Sequence, residues 1–174
     1  MEICDKGGDR MSKVLSFDQS TRNSGWAYFC DNQYVKSGVI DMSKSELETN
    51  RRSFEMAKEL WKVVKKYKPD YLILEDTQQQ NNIKTVITLA RLAGMVIGYA
   101  EAHGIKVHIL LPSAWRKVLG FNQGPKVKRA ELKQQSIDYI KNTLGKEMPE
   151  DEAEAICIAI AAHKIFDLKG EDEL

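Results

Sequence analysis

The chain has 174 residues, 43% of them hydrophobic and 29% charged, with a formal net charge of +1. That length suits a single domain able to bury a sizeable core, and the near-neutral total points to no partner by itself. No run reaches the roughly 18 continuous apolar residues of a membrane span, and no signal peptide precedes the first apolar segment, so a cytoplasmic, membrane-free protein is expected. Charge is nonetheless unevenly placed. Residues 112–146 carry eight Lys/Arg against two acids, and residues 147–174 carry nine acids against two Lys, a basic segment followed by an acidic one. Cys4, Cys30 and Cys157 lie far apart without metal-type spacing and read as free thiols of a reducing compartment.

In chain order, the polar residues 1–12 read as a disordered leader, residues 13–168 as one domain and residues 169–174 as an acidic tail. Three β-prone runs come first, Lys13–Asp18, Gly25–Cys30 and Gln33–Asp41, with a tight hairpin turn at Asp31-Asn32. Ser43–Ser45 offers caps for a long helix that ends at Pro69, with Phe54, Ala57, Leu60, Trp61 and Val64 near helical spacing. Tyr71-Leu72-Ile73-Leu74-Glu75 is a continuous apolar strand suited to burial on both faces. A polar stretch, 76–82, leads into an amphipathic helix whose apolar face comprises Ile83, Val86, Ile87, Ala90, Ala93, Gly94 and Ile97, followed by a strand at Lys106–Leu110. Three helices complete the chain: Ser113–Leu119, Val127–Leu144 and Glu150–Phe166, the last apolar nearly all round. Three antiparallel strands followed by β-α-β-α units predict an α/β domain, with a mixed five-stranded sheet and helices on both faces, which is the ribonuclease H-like arrangement.

Four acids stand where acids are least expected. Asp18 and Glu75 each end an apolar strand, and Asp151 and Glu154 share one face in the first turns of the most apolar helix. Three have a plainer explanation: Asp18 as a cap for the turn at Thr21 or Asn23, Glu75 as a partner of a buried Arg, and Asp151 as an acid favoured by the helix dipole; Glu154 is the hardest to dismiss, because Ala153, Ala155 and Ile156 around it mark a buried helix. Taken together they describe converging carboxylates, which repel one another unless cations neutralise them. An all-carboxylate site suits Mg²⁺ or Mn²⁺, and a pair of such ions suits phosphodiester cleavage. The basic cluster Arg116, Lys117, Lys126, Lys128 and Arg129 directly precedes the acidic helix and suits phosphate binding. Trp26, Trp61 and Trp115 read as packing residues.

These residues resemble the RuvC-type Holliday junction resolvases. Asp18 and Glu75 resemble the family's first two catalytic acids, and Asp151-Glu152-Ala153-Glu154-Ala155 resembles its Asp-x-Ala-Asp-Ala helix. The similarity runs in order over residues 13–166, through Leu89–Gly94 and Pro112–Gly120. It implies a metal-dependent endonuclease that nicks branched DNA and leaves 5′-phosphate ends. Asp18, Glu75, Asp151 and Glu154 would be catalytic acids and ligands of two Mg²⁺ ions (Mn²⁺ substituting), Lys126 a loop lysine near the scissile phosphate, and two chains would pair as a homodimer through the helix at Ile83–Ile97. Two departures are visible. Glu154 stands where the family more often has Asp, and 77–82 lacks the aromatic that wedges into the junction, so a broad branched-DNA preference is expected. The family's bacterial members work with a branch-migration motor, and nothing in the chain shows that such a partner is retained. Two other readings compete. Asp18-Gln19-Ser20-Thr21 with Gly25 also resembles the phosphate-binding opening of sugar kinases and actin-like ATPases, though the chain is short and lacks a second phosphate loop. A non-catalytic branched-DNA binding module is the other, disfavoured by four intact acids.

Overall fold

The computed structural model describes residues 11–77 and 82–168; the expected leader up to residue 10, the tail at 169–174 and positions 78–81 of the stretch without an aromatic lie outside the described residues. Its elements are β1 (Lys13–Asp18), β2 (Asn23–Cys30), β3 (Gln33–Asp41), α1 (Thr49–Tyr67), β4 (Tyr71–Glu75), α2 (Ile83–Ala102), β5 (Lys106–Leu110), α3 (Pro112–Val118), α4 (Arg129–Leu144) and α5 (Glu150–Ile165). The sheet order is β3-β2-β1-β4-β5. β1 runs antiparallel to β2 and parallel to β4, and β5 is parallel to β4. This is the ribonuclease H-like arrangement expected from the element order. The hairpin between β2 and β3 turns on Asp31 and Asn32, both at positive φ (49° and 61°), the left-handed pair that a two-residue loop between twisted strands requires.

Strand alternation sorts the core into two layers. Val14 and Ser16 of β1 and Tyr71 and Ile73 of β4 face α5, whereas Leu15, Phe17, Leu72 and Leu74 face α1 and α2. Continuing the period of two puts Asp18 and Glu75 on the α5 face, at the ends of neighbouring parallel strands. The position of the site therefore follows from the pleat.

The structure corrects the helix starts. α1 begins at Thr49, and its first N–H groups are accepted by the side chain of Glu48; Ser45 instead closes a turn onto Met42. β2 begins earlier than expected, at Asn23. The buried residues of α2 are Leu92, Val96 and Ala100, while Ile83 and Ile87 of its apolar face are 66% and 43% exposed. By length and composition α2 matches a membrane-crossing helix, but it packs on α1 and the sheet. Cys157 is a buried free thiol; Cys30 is disulfide-bonded, contrary to the free thiol expected there. Ser12, placed in the leader from sequence, is buried, and its carbonyl accepts from the Asp31 N–H.

Candidate active site

The site is assembled by docking α5 across β1 and β2. Ser16, fully buried in β1, donates to the Ala155 carbonyl at 2.7 Å and to the Ala27 carbonyl at 3.3 Å. Gly25 of β2 is paired with Asp18 and lies beneath the first turn of α5. A Cβ at Gly25 would fall 1.8 Å from the Asp151 carbonyl oxygen, so only glycine lets the helix come this close. With Ala153, Ala155, Ile156 and Cys157 all buried, the register of α5 is fixed by packing. Asp151 and Glu154 are then presented beside Asp18, and Glu154 is only 6% exposed.

Asp18, Glu75, Asp151 and Glu154 line one cleft of about 780 Å³, together with Arg116, Arg129, Lys133 and Gln19. Burial, and then the charges of Glu154, Glu75 and Asp151, hold the Asp18 carboxyl well above the usual carboxylate range, against a smaller opposing effect of Lys133. Burial also raises Glu75, opposed by the hydrogen bond from Trp115 and by Arg116. Asp151 is raised by burial, with Lys133 and Arg129 opposing. The four acids thus share one electrostatic environment in which full ionisation is costly without added positive charge.

Glu75 and Glu154 find part of that charge in the protein. Arg116 Nη2 lies 3.2 Å from Glu154 Oε1 and 3.6 Å from Glu75 Oε1. The indole Nε1–H of Trp115 donates to Glu75 Oε1 at 2.8 Å, and the Arg116 guanidinium stacks 4.6 Å from the Trp115 ring centre. Gln19 donates to the Glu75 carbonyl oxygen at 2.6 Å, tying the ends of β1 and β4 together. With Arg116 drawn between two of the acids, no three acidic, His or Cys side chains among the described residues form a ready-made cation cradle. The donor set still fits a divalent cation, because three carboxylates act on the charge of the fourth and all offer hard oxygen ligands.

Of the basic residues expected to meet DNA, Arg116 and Arg129 line the cleft, whereas Lys117, Lys126 and Lys128 are exposed and are not among its lining residues. Arg116 contacts carboxylates directly. Sequence reasoning missed Lys133 and the hydrogen bond that makes Trp115 more than a packing residue. It also missed the close approach at Gly25, whose signal was a glycine inside a strand pattern. The turn after Asp18 closes on itself: Ser24 Oγ donates to the Ser20 carbonyl at 2.7 Å and accepts from the Ser20 N–H at 2.9 Å, and Ser20 Oγ donates to the Asn23 carbonyl at 2.6 Å. Its hydroxyls serve the turn, which argues against the kinase-like phosphate cradle.

Known proteins resemble this chain in sequence and in fold. Residues 15–163 match the family described as crossover junction endodeoxyribonuclease RuvC. The RuvC of Syntrophomonas wolfei is 30% identical over 153 residues, covering 85% of this chain and 86% of that protein. Among solved structures, Thermus thermophilus RuvC in complex with a Holliday junction superposes with a TM-score of 0.69 at 15% identity, covering 90% of this chain and 98% of that one. The Fowlpox virus resolvase, solved with Holliday junction DNA, superposes with a TM-score of 0.63 at 16% identity, covering 88% and 97%. The structural likenesses carry the fold, and the sequence matches carry the descent: the chain belongs to the RuvC crossover junction endodeoxyribonuclease family.

Proposed function

We propose that the protein is a divalent-cation-dependent, structure-selective endodeoxyribonuclease that nicks four-way junctions and related branched DNA, leaving 5′-phosphate ends. The observation that carries this reading is the convergence of Asp18, Glu75, Asp151 and Glu154 on one cleft edged by Arg116, Arg129 and Lys133. Asp18, Glu75, Asp151 and Glu154 are the residues that would hold two Mg²⁺ ions, with Mn²⁺ as substitute. When bound, the ions supply an activated water and stabilise the leaving 3′-oxygen.

The protein's own groups prepare that chemistry. Trp115 fixes the Glu75 carboxylate through its indole N–H, and Arg116 holds Glu75 and Glu154 toward each other. Arg129 and Lys133 on α4 add positive charge to the lining of the cleft, Lys133 while ion-paired with Glu150, and would meet an approaching phosphodiester. Lys117 at the end of α3 and Lys126 and Lys128 on the segment before α4 extend this charge and hold flanking phosphates. A junction offers two symmetric strands for cutting, and two chains pair to meet them. The exposed apolar edge of α2 that carries Ile83 is the face through which they pair. Gly94 and Gly98 on the same helix have open space above them and permit close approach of a second helix. The protein acts on DNA in the cytoplasm.

The experiment is incubation of a labelled four-way junction with the protein and Mg²⁺. The expected result is symmetric nicks with ligatable 5′-phosphate ends, abolished by chelation and by Asp18→Asn, with junction binding retained. Binding without cutting by the wild-type chain under all divalent cations would establish instead the non-catalytic binding module. Cutting by Asp18→Asn at the wild-type rate would refute the site assignment.

A further inference from the structure

Beside the acidic cleft lies a second one, of about 560 Å³, between the N-terminal ends of α1 and α2. Its charge is the opposite of its neighbour's. Arg52, Lys84 and Arg91 line it with Thr21, Thr85 and Thr88, and Glu48 is the one acid among its described lining residues. Glu48 is engaged as the cap of α1, accepting from the N–H groups of Asn50 and Arg51.

Arg52 sets this cleft apart. The residue is 6% exposed, yet its guanidinium meets only neutral oxygens, the Leu47 carbonyl at 3.0 Å and Thr49 Oγ1 at 3.5 Å. Its Nε is buried with no hydrogen-bond partner. A buried guanidinium without a carboxylate is costly unless an anion completes it. Arg91, also lining the cleft, donates only to Asn50 Oδ1 at 3.4 Å. The positive end of α2, a helix of 20 residues, opens on the same space. Asn82 and Leu89 line both clefts, so the two sites adjoin and one strand can run from one to the other.

We propose that the Arg52–Lys84–Arg91 cleft is a second phosphodiester site, holding a backbone phosphate of the bound DNA away from the bond that is cut. It rests on the nuclease reading and deepens it. The site fixes where the strand leaves the acidic cleft, and so which branch geometry brings the scissile phosphate to Asp18. Because it contacts a phosphate and no base edge, it contributes affinity and register without sequence preference.

The test uses full-length Asp18→Asn protein and four-way junctions carrying a single neutral methylphosphonate, moved one position at a time. One position away from the cut site should weaken binding about tenfold, as removal of one charge-assisted hydrogen bond does. In the Lys84→Gln/Arg91→Gln variant, that same position should become silent. The slope of log K against log salt should also fall by about 0.9 for each phosphate the protein no longer neutralises. Both substituted residues are exposed, so the fold is kept; Arg52→Lys, which retains charge but not the guanidinium fork, should weaken the coupling in part. Retained junction binding with an unchanged scan and slope overturns this site alone. Loss of all junction binding by Asp18→Asn overturns the nuclease reading and this site with it. If inorganic phosphate raises the melting temperature while the scan is silent, the cleft takes free anions and the DNA assignment is wrong.

Discussion

Gly25→Ala is a one-methyl change with a large expected effect. The added Cβ would stand 1.8 Å from the Asp151 carbonyl oxygen, 2.3 Å from its carbon and 3.0 Å from the Glu152 nitrogen. Each of these atoms is backbone, so no side chain can swing aside. Approaches under 3.0 Å are not sustained, and either the first turn of α5 retreats by more than an ångström or β2 moves away from it. Both movements separate Asp151 and Glu154 from Asp18. Misplacing reacting groups by about 1 Å costs on the order of 10²-fold in rate. Overpacking of this kind costs ~1–3 kcal/mol of stability, and each kcal/mol lowers the melting temperature by about 2–4 °C in a domain of this size. Single-turnover nicking of a four-way junction at saturating protein, paired with a thermal melt, reads both quantities. The prediction is a roughly hundredfold slower cut, a melting temperature lowered by several degrees and junction binding changed little. A variant that cuts and melts like the wild type would refute the claim that this close approach sets the register of the site.

Trp115→Phe keeps the buried ring but removes the N–H that holds Glu75 Oε1; a hydrogen bond to a charged group is worth about 1.5–3 kcal/mol, so nicking should slow by at least tenfold and need more Mg²⁺ for half-maximal rate, as measured by metal titration. Asp18, Glu75 and Asp151 are all raised in the folded protein, so the native state binds more protons than the unfolded state between the ordinary carboxylate pKa of ~4 and the raised values. The metal-free protein should therefore lose stability as pH rises through that window. Melts in chelator across pH should show the fall, and Asp18→Asn should flatten it and melt higher than wild type at neutral pH. Ile83→Glu places a charge on the exposed apolar edge of α2; it should convert a dimer to a monomer by light scattering without lowering the melting temperature of the monomer fold.

How far the sequence could be read depended on how local each signal was. The mixed sheet was legible because β-like runs of period two and continuous apolar strands announce themselves, and because two of those strands end in carboxylates, Asp18 and Glu75. The Asp151/Glu154 pair was legible because a charge amid Ala153, Ala155 and Ile156 contradicts its surroundings. What sequence did not disclose depends on side chains meeting across the fold. Arg116 looked like a phosphate ligand from its basic neighbours, but α3 carries it into the carboxylates. The Trp115 indole meets Glu75 only once β4 and α3 are side by side. The start of α1 shifted to Thr49 because Glu48 caps the helix, a role that the earlier serines matched better by type. The apolar stripe on α2 was visible, but only the fold determines which of its residues the core covers and which it leaves exposed.

Whether the four acids form one cation site is decided by anomalous diffraction from crystals grown with Mn²⁺. Manganese peaks are expected, ligated by Asp18 together with Glu75, Asp151 and Glu154, with Arg116 displaced from at least one of its two carboxylates. A cleft that stays free of manganese at millimolar Mn²⁺, with Arg116 still bridging Glu75 and Glu154, would contradict the cation site and the nuclease chemistry built on it.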